Sequence, residues 1–247
     1  MIAADLARAL DPVLLAQHAG IVADPWQRDA LRSREARLLL NCSRQSGKST
    51  VTALLAMHTA LYEPSSLVLL LSPSLRQSAE LFRTCARIYG ALGEPVPPSS
   101  ESSLRLELDN GSRIISLPGK EATIRGYSGV RLLAIDEASR VPNDLYLAVR
   151  PMLAVSGGRL VALSTPWGTR GWWYEAWRSE EAWDRYLVPA PQCPRIPAAF
   201  LSEERASIGE FWFQQEYGCE FLDAQSQAFT RADVDRAFEE EVHAWRL

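Results

Sequence analysis

The most constraining stretch of the chain is Arg37 to Thr50, RLLLNCSRQSGKST. Its apolar run, Leu38-Leu39-Leu40, is short and bounded, as a strand buried on both faces of a parallel sheet must be. A loop of small polar residues follows, and Gly47-Lys48-Ser49-Thr50 then opens an apolar segment of good helix formers, Val51 to Leu61. The first N–H groups of such a helix lack carbonyl partners and lie at the positive end of its dipole, so they attract phosphate. Lys48 adds a full charge for the β- and γ-phosphates, and Ser49 a hydroxyl for Mg²⁺. Strand, loop and helix in this order make a chance Gly-Lys-Ser improbable, and the stretch reads as the phosphate-binding loop of a nucleoside triphosphatase. It departs from the consensus at Cys42, where the first glycine is expected, and it carries a second cation, Arg44.

Hydrolysis needs an acidic partner. Leu132 to Ile135 form a second bounded apolar run, ending in Asp136-Glu137. At the carboxyl end of a parallel strand the first acid can hold the Mg²⁺ that Ser49 touches, and the second can orient or deprotonate a water. An acidic pair after a strand is often only a helix cap, but its company with a phosphate-binding loop favours the chemical reading. Leu160 to Ser164 make a further strand, ending in Ser164-Thr165-Pro166, hydroxyls that either sense a phosphate or cap the next segment.

The remaining elements frame these motifs. Ile2 to Ala19 read as a helical lead-in split at Asp11-Pro12. Pro25 suits a first helical position capped by Asp24, and the helix it opens carries Trp26 and Gln27 just before the loop strand. Trp26 ordinarily packs and Gln27 ordinarily faces solvent; the sharper reading puts the Gln27 amide on an adenine edge. Ser66 to Ser72 are a buried strand, and the helix that follows starts with Arg76 and Gln77, at the strand end where open α/β sheets bind ligands. Gly93 to Ser103 read as a Pro/Ser-rich loop. Leu104 to Leu108 and Arg113 to Leu117 flank Asp109-Asn110-Gly111, a β-hairpin signal. Trp173 and Trp177 share a helix face suited to core packing. Arg185 to Pro189 are an expected edge strand, Ala190 to Pro197 a Pro-rich linker, and Phe200 to Asp223 one or two amphipathic helices.

Composition narrows the partners. The 247 residues are 47% hydrophobic and 23% charged, with a net charge of −4, so any nucleic acid contact has to come from a local patch rather than a global field. Four cysteines are scattered without a C-x-x-C pair, which favours reduced thiols over a zinc site or a disulfide framework. The N-terminus carries Asp5, Arg8 and Asp11 and is no signal peptide, and no uncharged apolar run is long enough to span a bilayer.

In this order, PWQ, SRQSGKST, LLAIDEAS and ALSTPWG resemble the ATPase domain of the large terminase subunit, the motor that packages DNA into the heads of tailed bacteriophages. The resemblance covers nearly the whole chain. It implies a RecA-like (ASCE) P-loop NTPase core with a mostly parallel α/β sheet, helices on both faces and a small C-terminal lid. The core would span residues 1–190 and the lid 191–225, with 226–247 leading toward a nuclease domain that these residues are too few to build. It implies ATP and Mg²⁺ as cofactors, with Ser43, Arg44, Gln45, Ser46, Gly47, Lys48, Ser49 and Thr50 around the phosphates and Trp26 and Gln27 at the adenine. Ser49 and Asp136 would hold the metal, and Glu137 would activate water. Arg44 would stabilise the γ-phosphate in its own subunit, and Arg125, eleven residues before Asp136, would reach a neighbouring subunit's ATP. Ser164 and Thr165 would couple hydrolysis to movement. The implied partners are double-stranded DNA, a portal protein, a small terminase subunit and further copies in a ring, in the cytoplasm of a bacterial host and transiently at the prohead. Two other readings stand beside this one: a superfamily 2-like helicase or remodelling ATPase, which needs a second RecA-like domain, and a non-hydrolysing, nucleotide-gated assembly module.

Overall fold

The computed structural model describes residues 2–119, 124, 126–223 and 236. Two short helices lead in, α1 (Ile2–Leu10) and α2 (Pro12–His18), divided where Asp11 accepts the Val13 N–H and Pro12 starts the second. Then come α3 (Pro25–Arg32), β1 (Arg37–Cys42), α4 (Lys48–Tyr62), β2 (Leu67–Ser72) and α5 (Leu75–Ala91). A small antiparallel excursion, β3 (Pro98–Ser102), β4 (Arg105–Leu108) and β5 (Arg113–Pro118), precedes β6 (Val130–Asp136). The chain continues through α6 (Asn143–Val149), β7 (Arg159–Ser164), α7 (Gly171–Arg178), β8 (Asp184–Val188) and α8 (Ala198–Glu216).

The strands form one sheet in the order β3-β4-β5-β2-β6-β7-β1-β8. From β5 to β8 every neighbouring pair in this order is parallel; the antiparallel pairs are β3–β4 and β4–β5. The apolar runs explain the layering. In β1, Leu38 and Leu40 enter one core with α2 to α5, while Leu39 enters the other with α6 and α7. In β2, Val68 and Leu70 face the first core, and Leu67, Leu69 and Leu71 the second. Side chains that alternate between two buried faces make every position of a strand apolar, so these segments carry no polar alternation. Each fully buried leucine contributes about 1.5–3 kcal/mol, which anchors the central strands firmly.

The hairpin lies where its turn signal puts it, with Leu106 opposite Ile114, and Asn110 ties it to α4 by donating to the Ala60 carbonyl. One expectation is corrected. Residues 98–102, read as part of a loop, form β3 on β4. All five β3 residues are exposed, so its ladder is held by backbone bonds alone and its side chains carry no apolar pattern. Trp173 is buried in the second core and Trp177 packs against it. The C-terminal helix α8 is broken at Gly209 and adds a small cluster of Leu201, Phe213 and Tyr217 beside the linker residue Ala190. Among the described residues, no helix is long and apolar enough to cross a membrane. Arg125 and the segment 224–247, save Arg236, lie outside the described residues.

Candidate active site

Three parallel strands end level with one another and carry the motifs. Asp136 of β6 stands beside Leu163 of β7, and Ser164, the next residue, stands beside Asn41 of β1. The strand bearing Ser164 therefore separates the strand that feeds the phosphate-binding loop from the strand that ends in the acids.

The loop is self-braced. Ser46 Oγ donates to the Ser43 carbonyl at 2.9 Å, and Lys48 Nζ reaches the same carbonyl at 3.5 Å. Gln45 and Gly47 take positive φ, 58° and 93°, which curls the chain round the head of α4. At Gly47 an added Cβ would lie 2.5 Å from Gln27 Nε2, so the residue answers both a backbone and a space requirement. Cys42 stands at the buried end of β1 with Cys193 and Cys219 near it, and burial pushes its thiol strongly upward. It is an inert packing group here, which accounts for a cysteine in place of the first glycine.

Opposite the loop, burial raises the Asp136 carboxyl to about 6, and the neighbouring Glu137 adds to the rise. The charge of Lys48 and the Glu137 N–H, donated to Asp136 Oδ1 at 2.9 Å, work the other way. A cavity of about 220 Å³ is lined by Ser49 and Asp136 together with Arg76 and Gln77 from the start of α5. A hydroxyl and one carboxylate are hard oxygen donors, and they fit Mg²⁺, which is commonly held by one or two carboxylates with the rest of its shell from water and phosphate. Among the described residues no cluster of three or more His, Cys, Asp or Glu forms a self-sufficient metal cage.

Glu137 has φ 48°, a left-handed conformation that caps the 3₁₀ turn Ala138–Arg140. From that turn Ser139 holds Ser164 twice, N–H to Oγ at 3.2 Å and hydroxyl to hydroxyl at 2.7 Å. The segment after the acids is thereby fastened to the end of β7, where Thr165 is also buried. Arg140 lies 3.2 Å over the Trp167 ring, and Trp167 stacks on Trp212 of α8.

Two site residues have contacts that the sequence does not announce. Arg44 turns toward α8: its Nε donates to Glu216 at 2.5 Å, and its N–H to the Glu216 carbonyl at 3.3 Å. Gln27 is buried, with Oε1 accepting the Asp24 N–H at 2.9 Å and Nε2 donating to the Gly47 carbonyl at 3.3 Å. It lines a second cavity, of about 400 Å³, with Gly47, Thr50 and Arg195. Trp26 packs against the first core and does not line that cavity. Arg195 escaped the sequence reading. Its Nη1 pairs with Asp24 at 2.7 Å and its Nη2 donates to the Ser46 carbonyl at 2.8 Å. Nothing local signals it, because it meets the loop from 149 residues downstream.

Residues 39–236 match the family model described as the terminase large subunit, T4-like-virus type, N-terminal. The chain is 26% identical to the large terminase subunits of Thermus virus P23-45 and Thermus phage G20c, over 82% of its own length. It spans about half the length of these curated relatives, 49% of each. Among solved structures it is similar to the large terminase ATPase domain of Thermus phage P74-26, with a TM-score of 0.75 at 21% identity, covering 84% of this chain and 97% of that one. The large terminase of bacteriophage HK97 follows at a TM-score of 0.66 and 16% identity, covering 81% and 51%. The large terminase of a thermophilic bacteriophage, solved in complex with ADP, aligns at 0.64 and 10%, covering 84% and 52%. These likenesses establish the RecA-like fold, and the family match, extending over most of the chain, establishes descent: the protein belongs to the large-terminase family and carries its N-terminal region.

Proposed function

We propose that this chain hydrolyses ATP with Mg²⁺ and that the cycle drives double-stranded DNA into a viral prohead. The single observation that carries the reading is the cavity that Ser49, at the head of α4, and Asp136, at the end of β6, line together. In this reading the α4 N–H groups and Lys48 bind the phosphates, and Ser49 and Asp136 hold the metal. Mg²⁺, when bound, offsets charge developing on the phosphates. Glu137 orients the attacking water and takes its proton. Arg44 stabilises the γ-phosphate once it leaves Glu216, and Ser164 and Thr165 pass the change at the acids to β7 through Ser139. Residues 1–190 act as the catalytic core and 191–225 as its lid. Arg125 serves the ATP of an adjacent subunit, in a ring that docks on a portal protein with a small terminase subunit, in the host cytoplasm.

Steady-state turnover of Mg·ATP by wild type and Glu137→Ala tests the chemistry. The variant is expected to lose on the order of 10²–10⁴-fold in kcat while still binding ATP. Undiminished turnover removes Glu137 from the mechanism. Mixing Arg125→Ala with Glu137→Ala subunits tests the ring: turnover regained in the mixture supports a residue donated between subunits, and none regained counts against it.

A further inference from the structure

The cavity of about 400 Å³ beside the phosphate-binding loop has a wall that the catalytic reading leaves idle. The space begins at Gly47 and Thr50, on the first turn of α4, and is bordered by Gln27, by Arg87 and Ile88 of α5, and by Arg195. A nucleotide whose phosphates occupy the head of α4 must put its nucleoside in the space adjoining that turn. At about 400 Å³ the cavity falls in the size range of small-ligand sites.

Arg195 is posed for a particular kind of contact. It comes from the linker between β8 and α8, and its side chain crosses to the other side of the site. One end of the guanidinium is fixed by the Asp24 carboxylate, the other by the Ser46 carbonyl. Both fixings lie in the plane of the group, because its N–H donors do. They leave the two flat faces, on a side chain that is still 47% exposed. A planar cation with two of its edge donors tied, on a half-exposed side chain that lines the cavity, suits stacking on an aromatic ring system, and lysine has no such face.

We propose that Arg195 positions the nucleotide by stacking its guanidinium on the nucleobase, binding any purine nucleotide without reading which purine it is. A flat face is indifferent to the groups on the rim of the base, so choice between adenine and guanine falls to hydrogen-bonding groups such as the second N–H of Gln27 Nε2, whose other N–H is held by the Gly47 carbonyl. The P-loop, the helix that carries Gln27 and the linker to α8 are joined at one guanidinium, and stacking completes the join with the ligand.

The proposal rests on the nucleotide reading above, and the test separates the two. Calorimetry with the intact chain measures the affinity of Mg²⁺ complexes of ATP, GTP and inorganic tripolyphosphate. Wild type, Arg195→Ala and Arg195→Lys are compared, each checked by circular dichroism. Expected are losses of about tenfold for both ATP and GTP in both variants, an unchanged ATP-to-GTP ratio, and tripolyphosphate affinity equal to wild type. In turnover the loss should fall on KM rather than kcat. If tripolyphosphate weakens in step with ATP, Arg195 only braces the loop and the proposal is overturned. Full affinity in Arg195→Lys overturns it too, because an ion pair with Asp24 would then suffice. Wild type that binds none of the three ligands overturns the nucleotide reading and this one with it.

Discussion

Asp136 is held in a contradiction. The proposed role as a metal ligand requires it ionised, yet burial and the adjoining Glu137 raise its carboxyl from 3.8 to about 6. Between those values the folded chain keeps a proton that the unfolded chain has lost, so the stability of the metal-free protein falls as pH rises through the window. Asp136→Asn cannot ionise and escapes the loss. Urea unfolding in EDTA should find the variant gaining on wild type by on the order of 2 kcal/mol between pH 4 and pH 7. A constant difference across that range would mean the carboxyl is not strained. Gly47 makes a second case at this scale. With φ at 93° and Gln27 Nε2 2.5 Å from a would-be Cβ, Gly47→Ala should displace Gln27, lower ATP affinity at least about tenfold and cost about 1–2 kcal/mol in stability. The placement of Lys48 and Ser49 at the head of α4, and of Asp136 and Glu137 at the end of β6, was legible beforehand because each sits in a short motif whose neighbours fix its backbone. Arg195 and the Glu216 partner of Arg44 were not, because both contacts join residues more than a hundred positions apart.

Among the elements, β6 and β7 bear the closest tolerance. Gly158, at the entry to β7, would with a Cβ lie 2.0 Å from the Val130 carbonyl oxygen and 3.0 Å from that of Arg131. Backbone cannot retreat as a side-chain tip can, so Gly158→Ala should cost more than about 2 kcal/mol and loosen the β6–β7 pairing. Amide exchange localises the effect: faster exchange confined to these two strands is the expected outcome, and unchanged protection would refute it. The buried strands were readable as bounded apolar runs, and the hairpin as Asp109-Asn110-Gly111. The exposed edge strand β3 was not, since a strand held only by its ladder needs no pattern in its side chains.

For the whole molecule, the cysteines give a simple global check. All four are buried and free, and burial pushes Cys85 and Cys219 up to about 12 and Cys42 and Cys193 upward as well. Thiolate is scarce and shielded in such groups, so Ellman's reagent should find none reactive in the native protein and four after unfolding. Early reaction at Cys42 or Cys219 would reveal that the floor beneath the loop opens in solution.

The strand between the two reacting halves has a further consequence. Two steps across a sheet amount to about 10 Å, so β7 sets the spacing between the loop that β1 feeds and the acids that end β6. On the proposed function, a ligand bridging that gap bears on both outer rails at once, and the middle rail, tied to the turn after the acids through Ser164, is placed to feel its loss.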